Sequence, residues 1–354
     1  MDIYIPLIIY IVLVSTFFRK KKWLMFALTF IPLLLFWGTR LNFTPDYDSY
    51  LYKFEAQHDM PIYGFLLDSM RGRFEPGFFF LIKIMPSYDA LIFATSLFLL
   101  LSVYFFLNEF LPKYSFPLAM FLWLFNGSIF NTFSAMRSSI FIGFFLLAII
   151  AKMKSYYKTA ILLTMLGSLF HMSGYFLLVI IILPISIFQR LRDFFIPLIF
   201  VFSFSALLLP SVFPDILKSI LNVSDNFSDL EEHAKEADYG LGFYIYSLIR
   251  IGFVLYILSL INRHLIEEKY IWISWLTIFC YLCMMVQIPI MYRFYNYLFL
   301  SSVVFKCYVL KVDKSIASKV YVGLSIMYAL YSFVGYTHTE TAKFYENYHS
   351  FLFE

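Results

Sequence analysis

Residues 88–107 read YDALIFATSLFLLLSVYFFL, an uninterrupted apolar run whose one charged side chain, Asp89, stands at its start. A helix on the surface of a soluble domain would show a stripe of apolar positions, and a barrel strand would alternate apolar with polar. This run does neither. At about 1.5 Å of rise per residue it reaches across the roughly 30 Å hydrocarbon layer of a bilayer. Eleven further runs resemble it: 3–18, 23–38, 115–130, 133–151, 156–170, 172–188, 194–212, 241–261, 270–288, 291–310 and 316–336. Several are shorter than the roughly 17–25 residues expected of a span, so the expectation is about twelve transmembrane helices, within a range of about ten to thirteen. The predicted fold is all-α, a single polytopic integral membrane domain over residues 1–354.

The composition agrees. Hydrophobic residues make up 61% of the chain and charged residues 14%, with a mean hydropathy of +0.77. Soluble domains are about 45–50% apolar and about 25% charged. The first apolar run has no basic region before it and reads as a true first span rather than a signal peptide. Cys280, Cys283 and Cys307 all lie in apolar runs, so no disulfide framework is indicated. Cys280-x-x-Cys283 sits mid-span with no His or further thiolate close by in sequence, which argues against a metal or redox site. No metal or other cofactor is expected. No phosphate-binding loop, dinucleotide fingerprint or nucleophile elbow is present, and nothing points to nucleic acid.

If Arg19-Lys-Lys-Lys22 is cytoplasmic and the spans alternate, every short connection on that side carries at least one basic residue, as the positive-inside rule requires. Lysine dominates the inner set. The outer set holds Arg40, Arg71, Arg73, Arg137, Arg250 and Arg293, six arginines to five lysines. Arginine is the side chain for bidentate, geometrically fixed binding of phosphate or carboxylate. The outer face therefore reads as the working face. It also carries the two longer extracytoplasmic segments. Residues 39–87 include an apolar stretch, Pro76–Met85, too short to span and suited to a re-entrant or interfacial helix. Residues 213–240 contain DNFSDLEEHAKEAD, an acidic and amphipathic segment.

Within the first segment, RLNFTPDYDSY (residues 40–50) gathers Arg40, Asp46, Asp48, Tyr47 and Tyr50 directly after an apolar run. Further polar groups on the same side are Glu75 in FEPGF, Arg137 in SAMRSS, His171 in LFHMSG and Arg293 in MYRFYNY. An ionisable residue within a span costs about 2.5–3.5 kcal/mol on insertion scales, so it persists with a partner or a task. For Arg137 and Arg293 the alternatives are phosphate binding and snorkelling to the interface. For Asp46, Asp48 and Glu75 they are proton acceptance from a hydroxyl and plain helix capping or solvation. His171 either caps a tight helical hairpin or serves as a proton acceptor.

The order of these motifs, PDYDSY after the second span, then FEPGF, MRSS opening a span, FHMSG and a late YRFYNY, resembles the EpsG family of Wzy-type bacterial polysaccharide polymerases. One departure is Ser138, where the family commonly has glutamine. The resemblance implies a metal-independent glycosyltransferase in the bacterial inner (plasma) membrane with its active site facing the extracytoplasmic side. Its substrates would be oligosaccharide repeat units on undecaprenyl pyrophosphate, joined into an exopolysaccharide, capsule or O-antigen chain. A flippase and a chain-length regulator are the implied protein partners, and membrane lipid the surroundings. On this reading Arg137 and Arg293 hold the pyrophosphate, assisted by Arg40 and Arg73. Glu75 or Asp46 is the general base, with His171 as second choice. Asp48, Tyr47, Tyr50 and Tyr297 contact substrate. A lipid-oligosaccharide flippase or exporter, and an O-antigen-ligase-like or acyl transferase, are the competing classes.

Overall fold

The computed structural model describes residues 3–61, 75–190, 192–208, 241–285, 289–338 and 348–352. Arg71, Arg73 and the acidic segment 213–240 lie outside the described residues. Apart from one two-stranded pairing the regular structure of the described residues is helical, and the described part of each apolar run read from the sequence contains helix. Four of them, Tyr88–Phe110, Met136–Met153, Phe243–Asn262 and Ile316–Thr337, are long and apolar enough by themselves to cross a membrane. The other helices are shorter or more polar. Large apolar side chains such as Phe17, Trp23 and Ile316 remain exposed, as expected of a surface solvated by lipid tails.

The chain divides into two compact units, Met1–Ile182 with Val322–Glu354, and Leu183–Tyr321. The first contains α1 (Tyr4–Phe17), α2 (Lys22–Gly38), α3 (Tyr47–His58), α4 (Pro76–Ile84), α5 (Tyr88–Phe110), α6 (Phe116–Leu124), α7 (Ser128–Ser134), α8 (Met136–Met153), α9 (Tyr157–Ser168) and α10 (Gly174–Ile182). Helix α5 packs between α2 and α8, α8 packs on α9, and α1 lies against α2 and α6. Local chemistry sets the boundaries. Ser87 caps α5 by accepting a hydrogen bond from the Ala90 amide at 3.2 Å. Leu111 is extended because Pro112 follows it, and Met85 is extended because Pro86 follows, which ends α5 and α4 respectively.

The apolar run 115–130 is not one span. It breaks at Asn126-Gly127 into α6 and α7, and Gly127 is required there because a Cβ would stand 2.9 Å from Cβ of Tyr336 and 3.0 Å from the Ser332 carbonyl. Phe130 stacks on Tyr336 next to it, with ring centroids 5.0 Å apart. A break of this kind is tolerated at membrane depth where protein, not lipid, surrounds the freed backbone. The run 172–188 breaks likewise before Pro184, into α10 and α11 (Ile185–Arg190).

RLNFTPDYDSY proves partly helical. Arg40-Leu41 forms β1, paired antiparallel with β2 (His349–Ser350) from the C-terminal end of the chain. Helix α3 then begins at Tyr47. Its buried residues Tyr50, Phe54 and Gln57 recur at helical spacing. Tyr50 and Phe54 join a core with Phe78 and Ile82 of α4, Tyr88, Leu91 and Ile92 of α5, and Met136 and Ile140 of α8. Since α3 is too short and too polar to span and α4 too short, burial of each such apolar side chain stabilises by roughly 1.5–3 kcal/mol against water. Lys83 closes the layer by donating to the His58 carbonyl.

The second unit contains α11, α12 (Arg192–Leu208), α13 (Leu241–Asn262), α14 (Glu268–Met285), α15 (Pro289–Val312) and the start of α16 (Ile316–Thr337). Helices α14 and α15 form its main hairpin, with Tyr270 stacked on Tyr308 at 3.7 Å. Cys280, Cys283 and Cys307 are all free thiols in this unit.

Candidate functional site

The polar cluster of the first unit is assembled at the starts of helices. Glu75 is the N-cap of α4. Its extended backbone and Pro76 in the first turn suit that position and leave the carboxylate clear of the helix. The Gly77 amide donates to the Leu169 carbonyl at 2.9 Å, which pulls the start of α4 against the turn after α9. A Cβ on Gly77 would lie 3.0 Å from the backbone of Leu169, so the Glu-Pro-Gly order places the carboxylate, starts the helix and permits the approach. His171 follows in that turn. Its Nδ1 lies 3.4 Å from Glu75 Oε1.

Arg137 comes from the first turn of α8 and donates from Nη1 to the other carboxylate oxygen, Glu75 Oε2, at 2.5 Å. Glu75 is 8% exposed and His171 8%, whereas the Arg137 side chain retains 29%. The guanidinium is thus the accessible member of a largely buried trio. Tyr50 stands beside it: Arg137 Nε donates to the Tyr50 hydroxyl at 3.4 Å, and the guanidinium carbon is 5.9 Å from the ring centroid. Asp46, the residue before α3, accepts a hydrogen bond from Ser134 Oγ at 3.1 Å.

Burial alone would raise the Glu75 pKa. The hydrogen bond from His171 and the charge and hydrogen bond of Arg137 outweigh that and hold it at about 2. Glu75 is therefore a firmly ionised carboxylate in this arrangement, and a weak base. Burial raises the Tyr50 phenol above its ordinary value despite the lowering influence of Arg137, so it stands as a neutral hydroxyl.

The structure thus brings together Asp46, Tyr50, Glu75, Arg137 and His171 among the residues singled out by sequence. Asp48 is exposed in the first turn of α3, where a negative charge favours the helix N-terminus. Tyr47 accepts from the Tyr88 hydroxyl through its carbonyl at 2.9 Å, and the two rings meet edge to face. Arg293 and Tyr297 lie on α15 of the second unit, Tyr297 fully buried. Arg73 lies outside the described residues.

Arg40 is not in a solvated loop. It is 2% exposed, and it donates to the Trp37 carbonyl at the end of α2, to Ser96 Oγ of α5 at 3.0 Å and to the Phe133 carbonyl of α7 at 2.8 Å. A cation on the last carbonyls of a helix satisfies groups that have no partner within the helix. Two further members of the neighbourhood, Ser134 and Lys53, were not anticipated as site residues. The signal for Lys53 is its spacing: Asp46, Tyr50 and Lys53 fall at i, i+4 and i+7 on α3, one helical face. Among the described residues no three His, Cys, Asp or Glu side chains come together in a manner that would hold a metal ion.

The chain is thus an all-α membrane protein in which Arg137 at the start of an apolar helix, His171 in a turn and Glu75 at the start of a short helix meet. The match to known families is specific. The EpsG family model covers residues 4–350, and the chain belongs to the EpsG family, which makes polysaccharide polymerisation its general role. No curated protein and no solved structure matches the chain.

Proposed function

We propose that this protein is a glycosyltransferase that polymerises oligosaccharide repeat units carried on a polyprenyl pyrophosphate, with Arg137 as principal pyrophosphate ligand and Glu75 as general base. The supporting observation is the Glu75–Arg137–His171 trio, in which a partly exposed guanidinium is held by a buried carboxylate.

In the reaction the acceptor hydroxyl attacks the anomeric carbon of the donor. The bond from that carbon to the pyrophosphate oxygen breaks, and the lipid pyrophosphate departs with the electron pair. Arg137 stabilises the charge that develops on the leaving group. While Arg137 is bound to Glu75, the carboxylate is too acidic to accept a proton efficiently. When the guanidinium turns its fork to the pyrophosphate, Glu75 loses both the charge and the hydrogen bond of that partner, and its basicity rises. The base is thus generated by substrate binding, and the acceptor proton passes to Glu75. His171 remains to orient the carboxylate. Asp46, bonded to Ser134, orients Tyr50 and the start of α3. Arg40 holds the ends of α2 and α7 in place for this chemistry rather than touching phosphate. The reaction belongs to the extracytoplasmic leaflet of the bacterial inner membrane, on the distribution of basic residues in the sequence.

The test is incubation of the purified protein with one lipid-linked repeat unit. A ladder of products is expected from the native chain and none from a folded Arg137→Ala variant, with Arg137→Lys recovering little because it lacks the bidentate fork. A single transfer would instead indicate a ligase, absence of any covalent product a transporter, and an unchanged ladder from Arg137→Ala would remove Arg137 from the mechanism.

A further inference from the structure

Tyr50 carries two cations, not one. Lys53, one turn further along α3, places its Nζ 5.5 Å from the Tyr50 ring centroid, and the Arg137 guanidinium carbon lies 5.9 Å from the same centroid. A cation over an aromatic face is attracted by the ring quadrupole, and a phenol shared by two cations is a way to hold like charges near each other without a carboxylate between them. Glu75 and Asp46 are close enough to act on Lys53 through their charge. Among the described residues, however, no carboxylate lies within ion-pair distance of its Nζ, whereas Arg137 is paired. Lys53 is partly buried, and burial followed by the Arg137 charge lowers its pKa from the ordinary value. A lysine lowered by a neighbouring cation gains when an anion arrives.

Nothing in the local packing calls for an ammonium here. Position 53 is flanked by Phe54, which faces the core, and Tyr52, which is exposed. An uncharged side chain at the same helical turn would leave the α3 to α4 contact intact. The arrangement instead matches a ligand with two adjacent anionic groups, one for each cation, presented over the same ring.

We infer that Lys53 is the second ligand of a diphosphate, taking one phosphate while Arg137 takes the other, with the Tyr50 ring setting the separation between them. The inference rests on the reading of the cluster as a lipid-pyrophosphate site and adds to it a source of selectivity for diphosphate over monophosphate. A monophosphate satisfies one cation and leaves the other over the ring. Both carriers share the same polyprenyl tail, so discrimination has to come from the headgroup.

The experiment measures binding of polyprenyl pyrophosphate and polyprenyl monophosphate to the full-length protein in detergent or nanodiscs. The native chain should favour the pyrophosphate. Lys53→Gln should weaken pyrophosphate binding about tenfold or more, the effect expected of one charge-assisted contact, and leave the monophosphate nearly unchanged. Lys53→Arg, which keeps the charge, should retain the preference. Equal affinity losses for both lipids in Lys53→Gln, no loss for either, or loss of the preference in Lys53→Arg would each overturn the assignment of Lys53. Arg137→Gln separates this from failure of the functional reading. If it abolishes binding of both lipids while Lys53→Gln has no effect, the site stands and Lys53 is not part of it. If Arg137→Gln binds both lipids as the native chain does, the cluster is not a pyrophosphate site at all.

Discussion

Coupling between Glu75 and Arg137 is the most direct measure of the cluster. Removing either partner leaves the other charge in a partly or largely buried position, so both single variants, Glu75→Gln and Arg137→Ala, should destabilise the fold. Fully buried pairs broken in this way lose about 3–5 kcal/mol, exposed pairs about 0–1. This pair lies between those limits, because Glu75 is 9% exposed in its side chain and Arg137 29%. An independent figure comes from protonation. A carboxyl held at about 2 rather than 4.5 corresponds to roughly 3 kcal/mol of folding free energy. His171 shares in that lowering and burial opposes it, so the pair with Arg137 is set by the two limits above, at about 1–2 kcal/mol. The double-mutant cycle, read by reversible denaturant unfolding in mixed micelles, should therefore return a coupling of about 1–2 kcal/mol. The sign with pH follows from the direction of the shift. Because the folded-state pKa is depressed, the contribution is complete above about 4.5 and is lost as pH falls towards about 2. The coupling should persist at pH 7 and at pH 5 and fade only in that acidic window. A coupling below about 0.5 kcal/mol at neutral pH, or one that vanishes between pH 7 and 5, would refute the ion-pair account of the site.

Two further expectations concern the scaffold. Gly77→Ala should force the start of α4 away from Leu169, costing about 1–3 kcal/mol by overpacking and reducing polymer formation more than substrate affinity, checked by thermal unfolding alongside the ladder assay. Arg40→Met should lower the yield of folded protein, because the Phe133 carbonyl loses its buried donor at about 1–3 kcal/mol, while the Trp37 carbonyl keeps that of Ser96. Protein that is recovered should bind lipid pyrophosphate as the native chain does, which titration of the same variant measures; loss of binding with normal stability would return Arg40 to the list of direct ligands.

The membrane architecture was legible because hydrophobic length is a local property. Among the described residues each apolar run contains helix, and the runs 115–130 and 172–188 break at Asn126-Gly127 and before Pro184, where the chain carries its own punctuation. The extramembrane layer was harder. Residues 47–58 have a polar average composition, and their helix shows only in the burial of Tyr50, Phe54 and Gln57 against α4, α5 and α8. Arg40 carried the right signal, an arginine beside apolar spans, but the carbonyl and hydroxyl that hold it belong to Phe133 and Ser96, 93 and 56 residues away. Glu75, Arg137 and His171 were each singled out individually. That they form one unit depends on separations of 62 and 96 residues, which a single sequence does not encode in any readable pattern.

The positions of those residues share a property that explains why the cluster is stable at a membrane boundary. Asp46 precedes α3, Glu75 caps α4, Arg137 lies in the first turn of α8, and His171 stands shortly before α10. Four helix N-termini therefore approach one another, joined by the contacts of Glu75 with Arg137 and His171, of Asp46 with Ser134 and of Arg137 with Tyr50. Each N-terminus carries partial positive charge and unsatisfied amides, so their convergence favours anions whatever the side chains present. In the resting arrangement Glu75 and Asp46 are those anions, and they balance Arg137 and Lys53. A carboxylate in such a field is easily kept ionised, in accord with the low pKa of Glu75. On the proposed function, a diphosphate entering the same field would offer the helix ends and both cations more negative charge than the carboxylates do. On the same proposal, exchange of Arg137 from Glu75 to the lipid headgroup would require no new charge to be created within the membrane boundary; one anion would replace another, and the carboxylate set aside would become the base.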